Sequence, residues 1–69
     1  MKRAPVDSSS ISSIGYDGGT AVLEIEYRNG NVYRYFAVPA SIYAALVASE
    51  SMGTFVNTVI KPRYPCERR

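Results

Sequence analysis

Two turn signals bracket a run of alternating polar and apolar side chains, and no other feature restricts the fold of this chain as much. Asp17-Gly18-Gly19 and Asn29-Gly30 are both sequences that tolerate positive φ. Between them, Thr20 to Tyr27 alternates cleanly, with Leu23, Ile25 and Tyr27 on one side and Val22, Glu24 and Glu26 on the other. After them, Asn31-Val32-Tyr33-Arg34-Tyr35-Phe36-Ala37-Val38 is rich in β-branched and aromatic residues. The pattern is that of a β-meander with one buried and one wet face. It specifies an architecture and no chemistry.

The first strand of the meander is expected from Ser10 to Tyr16. Ile11 is out of phase with Ile14 and Tyr16 there, and a bulge at Gly15 would reconcile the two phases. The hairpin admits two registers. A two-residue type I′ loop at Asn29-Gly30 pairs Ile25 with Arg34 and turns Tyr33 and Tyr35 to the wet face beside Glu26 and Glu24. A three-residue loop with Gly30 left-handed pairs Ile25 with Tyr33 and Glu24 with Arg34. The second register is preferred. It keeps Arg34 away from Ile25, sets opposite charges across from each other, and joins Leu23, Ile25, Tyr27, Tyr33 and Tyr35 into one apolar face.

Pro39 suits the first turn of a helix, where its missing N–H is not needed, and Ala40 to Ala48 is rich in helix formers. Ile42, Tyr43, Leu46 and Val47 form its apolar stripe. Ser51 is a fresh N-cap, followed by Met52, Phe55, Val56, Val59 and Ile60 at helical spacing until Pro62 stops the run. The expected class is α+β: a three-stranded antiparallel β-meander followed by two short helices packed on one face. The expected organisation is a flexible basic lead over residues 1–7, one domain over 8–65 and a basic tail over 66–69.

At 69 residues the chain holds one small domain, which buries only roughly 60% of its unfolded surface. One cysteine and no histidine supply neither an internal disulfide nor a histidine-based metal site. Association with a partner or a second copy is one remedy for so small a core. The lead runs into serines rather than an apolar segment, and no apolar run approaches a bilayer span, so a cytoplasmic protein without a membrane partner is expected. The net charge of +2 conceals an asymmetry. Lys2, Arg3, Lys61, Arg63, Arg68 and Arg69, less Glu67, give the two ends +5, whereas residues 4–60 set Arg28 and Arg34 against five acids, for −3. Basic ends attract phosphate backbones, or serve only as solubilising tails.

Val6, Ser9, Ile11, Ile14-Gly15-Tyr16-Asp17, Leu23, Tyr27, Gly30, Tyr33-x-Tyr35, Val38-Pro39, Tyr43, Ser51-x-Gly53, Phe55, Asn57, Ile60-Lys61 and Arg63-Tyr64-Pro65 together resemble the KTSC domain. This short module is named for its place at the C-terminus of some lysyl-tRNA synthetases. It also occurs as a stand-alone bacterial protein, the form this chain resembles. Attachment to a synthetase implies an RNA-binding role, and the family supplies no catalytic residue. Of the motif positions, Tyr33, Tyr35, Val38, Pro39, Ser51, Gly53, Phe55 and Asn57 read as structural.

Two functions follow as expectations. One is a non-catalytic module that binds RNA through Arg28, Arg34, Phe36, Lys61, Arg63, Arg68 and Arg69, using the basic C-terminus and one sheet face. The other is a protein-interaction or homodimer module using an open sheet edge and exposed Val22, Val32 and Phe36. Enzymatic activity, a cofactor, a metal and a small-molecule substrate are not expected: the chain has no phosphate-cradling loop, no CxxC pair and no thiol–imidazole pair. Cys66, beside two arginines, reads as a surface thiol without a role.

Overall fold

The computed structural model describes residues 2–69, so Met1 of the expected lead lies outside the described residues. Five strands form one antiparallel sheet in chain order: β1 (Ala4–Pro5), β2 (Ile11–Asp17), β3 (Val22–Tyr27), β4 (Val32–Tyr35) and β5 (Cys66–Arg68). Helices α1 (Ala40–Ala48) and α2 (Met52–Phe55) fall between β4 and β5, and α2 runs on into a π-helix, Val56–Ile60. The α+β class and the central meander are as the sequence indicates, but the sheet has five strands and not three. The two additional strands come from segments assigned to the lead and the tail. Ala4 and Pro5 pair with Ile14 and Ser13, and Cys66–Arg68 pairs with Tyr35, Arg34 and Tyr33. Runs this short are below the length at which alternation is recognisable.

The β3–β4 hairpin takes the three-residue loop. Glu24 faces Arg34 and Ile25 faces Tyr33, with Gly30 at φ +92. The Tyr27 N–H donates to the Asn31 carbonyl at 2.9 Å and the Gly30 N–H to the Tyr27 carbonyl at 3.0 Å. Only glycine takes this left-handed turn without cost. The bulge in β2 lies between Ile11 and Ser13, and not at Gly15, which pairs regularly with Glu24. Inserting Ser12 there restores the phase that Ile11 lacks.

The core gathers Ile11, Ile14, Leu23, Ile25, Tyr35, Val38, Leu46, Val56 and Ile60 between the sheet and the helices. Burying each large aliphatic side chain contributes about 1.5–3 kcal/mol. From α1 only Leu46 is fully buried, while Val47, expected in the same stripe, is 49% exposed. Val47 lies about 100° around the axis from Leu46, and this short helix meets the core along a narrow line. Ser51 caps α2 by accepting a hydrogen bond from the Thr54 N–H at 3.3 Å. At the other end the Lys61 N–H reaches five residues back to the Val56 carbonyl at 2.8 Å, the π-type bond. A Cβ on Gly53 would overlap the Ser10 hydroxyl, so this glycine permits close contact between α2 and the approach to β2.

Candidate nucleic-acid interface

Strand alternation divides the sheet into two surfaces of opposite character. The face away from the helices carries Glu24, whose side chain is completely buried although no helix covers it. Three arginines enclose it. Arg34 Nε donates to Oε2 at 2.9 Å, Arg69 donates to the same oxygen at 3.3 Å, and Arg3 donates to Oε1. Arg3 also donates to the Ser13 hydroxyl at 3.2 Å, and that hydroxyl donates to Glu26 at 2.9 Å. Burial alone would raise the Glu24 carboxyl, but hydrogen bonds from Arg34 and Arg3 and the charges of Arg3 and Arg69 hold it below its ordinary value. The basic ends of the chain thus close on the acidic centre of its body.

The helix-side face ends in a pocket of about 370 Å³ lined by Tyr27, Asn29, Asn31, Tyr33, Tyr35, Lys61 and Cys66. None of the seven is acidic. The Tyr27 and Tyr35 hydroxyls bond each other at 3.2 Å, and the Tyr33 ring stands edge-on to Tyr27 with centroids 5.6 Å apart. The Lys61 ammonium lies 5.6 Å from the Tyr27 ring centroid, a cation–π contact. Burial pushes both the Tyr27 and the Tyr35 hydroxyl up, Tyr35 strongly, which keeps the pair protonated and able to donate.

The residues expected to contact RNA separate into groups. Arg34 and Arg69 belong to the Glu24 cluster on the outer face. Arg28 holds the approach to β2, donating from Nε to the Ser8 carbonyl at 2.9 Å. Phe36 is half-buried, with its N–H bonded to the Pro65 carbonyl at 2.9 Å. Lys61, Arg63 and Arg68 are exposed and form no ion pair among the described residues. Lys61 lines the pocket, and Arg68 is the ladder partner of Tyr33 at its side.

Tyr35 is buried in the core and Tyr33 is half-buried on the pocket side, so neither forms an aromatic platform on the wet face. Val38 is buried, Pro39 occupies the N-cap position of α1, Phe55 is half-buried and Asn57 is exposed. Val22 and Val32, expected to be exposed with Phe36, are half-buried, and the edge strands have two and three residues. Short edges of this kind offer little template for another strand. Sequence reasoning missed the places in the pocket lining of Asn29, which reads as a turn residue, and Asn31, which reads as the start of the following strand, and the convergence of Arg3 and Arg69 on Glu24. Among the described residues no group of three His, Cys, Asp or Glu side chains could hold a metal ion, and no helix is long and apolar enough to cross a membrane.

An antiparallel five-stranded sheet with two helices and a tyrosine-lined pocket defines a small α+β domain. Residues 7–64 match the KTSC domain, and the chain belongs to that family. A KTSC domain protein of Yersinia pestis has the same fold, with a TM-score of 0.92 and 39% identity over 99% of this chain and 96% of that one. An uncharacterized protein of Stutzerimonas stutzeri is 44% identical over 93% of this chain and 90% of its own length. A lysine–tRNA ligase of Nostoc punctiforme is 36% identical over 90% of this chain, which corresponds to 11% of the ligase.

Proposed function

We propose that this KTSC domain is a non-catalytic accessory module that binds RNA through Lys61 and Arg68 on the pocket side of the sheet, together with the exposed Arg63. One observation carries the reading. The cations of the outer face are engaged with Glu24, whereas Lys61, Arg63 and Arg68 have no carboxylate partner among the described residues and two of them flank a tyrosine-lined pocket. A phosphate approaching the outer face must compete with a carboxylate already in place, and one approaching the pocket side need not. A similar segment within lysine–tRNA ligases supports an RNA setting. On this reading the sheet face left open by the sequence is the helix-side one, and Arg34, Arg69 and Arg28 are structural. A protein-partner role has less support, since Val22, Val32 and Phe36 are half-buried.

The test is a triple variant, Lys61→Glu with Arg63→Glu and Arg68→Glu, compared with the parent protein for retention of bulk tRNA at low salt. Loss of retention by the triple variant, with retention kept by Arg34→Gln, is the expected result. Retention by the triple variant equal to that of the parent contradicts the reading.

A further inference from the structure

We propose that the pocket lined by Tyr27, Asn31, Tyr33 and Lys61 receives a single unpaired ribonucleotide, with its base against Tyr33 and its phosphate near Lys61 and Arg68. The inference rests on the RNA reading above and assigns a ligand to a cavity which that reading leaves unexplained.

The volume of about 370 Å³ falls within the size range of small-ligand sites. Its chemistry selects among ligands. With one ammonium and no carboxylate in its lining, the pocket favours an anionic or neutral polar guest over a cation. The face of Tyr27 is covered by the Lys61 ammonium, and its hydroxyl is taken by Tyr35. That leaves the Tyr33 ring, perpendicular to Tyr27 at 81°, as the aromatic wall available for stacking. Asn31 brings a side-chain amide, a group that both donates and accepts as the edge of a base does, whereas the Asn29 side-chain oxygen already accepts the Asn31 N–H at 2.9 Å.

The backbone sets where the cation's side chain starts. The π-type bond from Lys61 to Val56 inserts a residue into the last helical turn, and Lys61 leaves that turn with its ammonium over Tyr27. Insertions of this kind recur at functional sites. Arg68, opposite Tyr33 in the β4–β5 ladder, adds a second positive charge on the same side. A paired base cannot leave its stack to enter such a pocket without cost, so the site distinguishes single-stranded from double-stranded RNA.

The experiment is an amide NMR titration of the intact protein with a single-stranded hexaribonucleotide of mixed sequence, a blunt RNA duplex and a mixture of nucleoside monophosphates. The proposal expects the hexamer to shift Asn31, Tyr33 and Lys61 and to bind more tightly than the duplex. Tyr33→Leu should weaken hexamer binding by about five- to 150-fold, the equivalent of losing one stacked base. If that variant does not fold, Asn31→Ala, just after the β3–β4 loop, should weaken hexamer binding about fivefold through one lost hydrogen bond. Duplex binding equal to the hexamer's, with the pocket amides unmoved, overturns the nucleotide pocket and leaves RNA binding standing. Response to the monophosphates but not to the hexamer overturns the RNA assignment of the pocket. No response to any of the three overturns both.

Discussion

Arg34 and Glu24 are direct register partners in the β3–β4 ladder, and Arg34 Nε donates to Glu24 Oε2 at 2.9 Å. Arg3 and Arg69, from the two ends of the chain, meet the same carboxylate. One acid in the centre of the sheet therefore fixes both edge strands. Removing one partner from a fully buried ion pair costs about 3–5 kcal/mol. The arginine side chains here remain 27%, 33% and 54% exposed and can rehydrate, which reduces the cost. Glu24→Gln should destabilise the fold by about 1–3 kcal/mol in denaturant titrations. A change below a few tenths would mean that the cluster is ornamental.

The same cluster sets an acid limit. The Glu24 carboxyl is held below its ordinary value in the folded state. Its contribution is therefore present above the unfolded carboxylate value of about 4.3 and is lost as pH falls through the lower folded value. Melting temperature should drop between neutral pH and pH near 3 in the parent protein, and drop less in Glu24→Gln. Parallel curves for the two proteins would remove Glu24 from the acid response.

Tyr35→Phe deletes one side of the Tyr27–Tyr35 hydroxyl bond and leaves the partly buried Tyr27 hydroxyl without its partner. The expected loss is about 0.5–1.5 kcal/mol with the fold retained. Thermal unfolding followed by circular dichroism reads it directly.

Ala37 lies just beyond β4 at φ 59, in the left-handed region, and is exposed. That conformation costs an L-residue about 1–2 kcal/mol, while glycine adds about 0.5–1 kcal/mol of backbone entropy in the unfolded chain. Ala37→Gly should therefore stabilise slightly, raising the urea midpoint without changing the slope. Gly30→Ala, at φ +92, should do the opposite.

The central hairpin was legible because Asn29-Gly30 and the alternation around it leave few registers, and setting Glu24 opposite Arg34 decides between them. The same opposition marked half of the outer-face cluster. Arg3 and Arg69 were not legible there, since they lie just outside edge strands too short to alternate and their contacts reach far along the chain. The pocket was hidden for a related reason. Five of its lining residues come from the β3–β4 hairpin, but Lys61, just after the π-helix, and Cys66, in β5, reach it only through the tertiary fold. The π-turn leaves no mark of its own in the spacing of Val56, Val59 and Ile60. Val47 shows the converse case, an apolar residue at a helical position that the packing does not use.

The most direct measurement for the central claim is an amide NMR titration of the labelled protein with bulk tRNA, first at low salt and then at moderate salt. The account predicts shifts at Asn31, Tyr33, Lys61 and Arg68 that fade as salt rises, because phosphate contacts carry the affinity. Shifts centred on Glu24 and Arg34, or an unchanged spectrum at low salt, would contradict it.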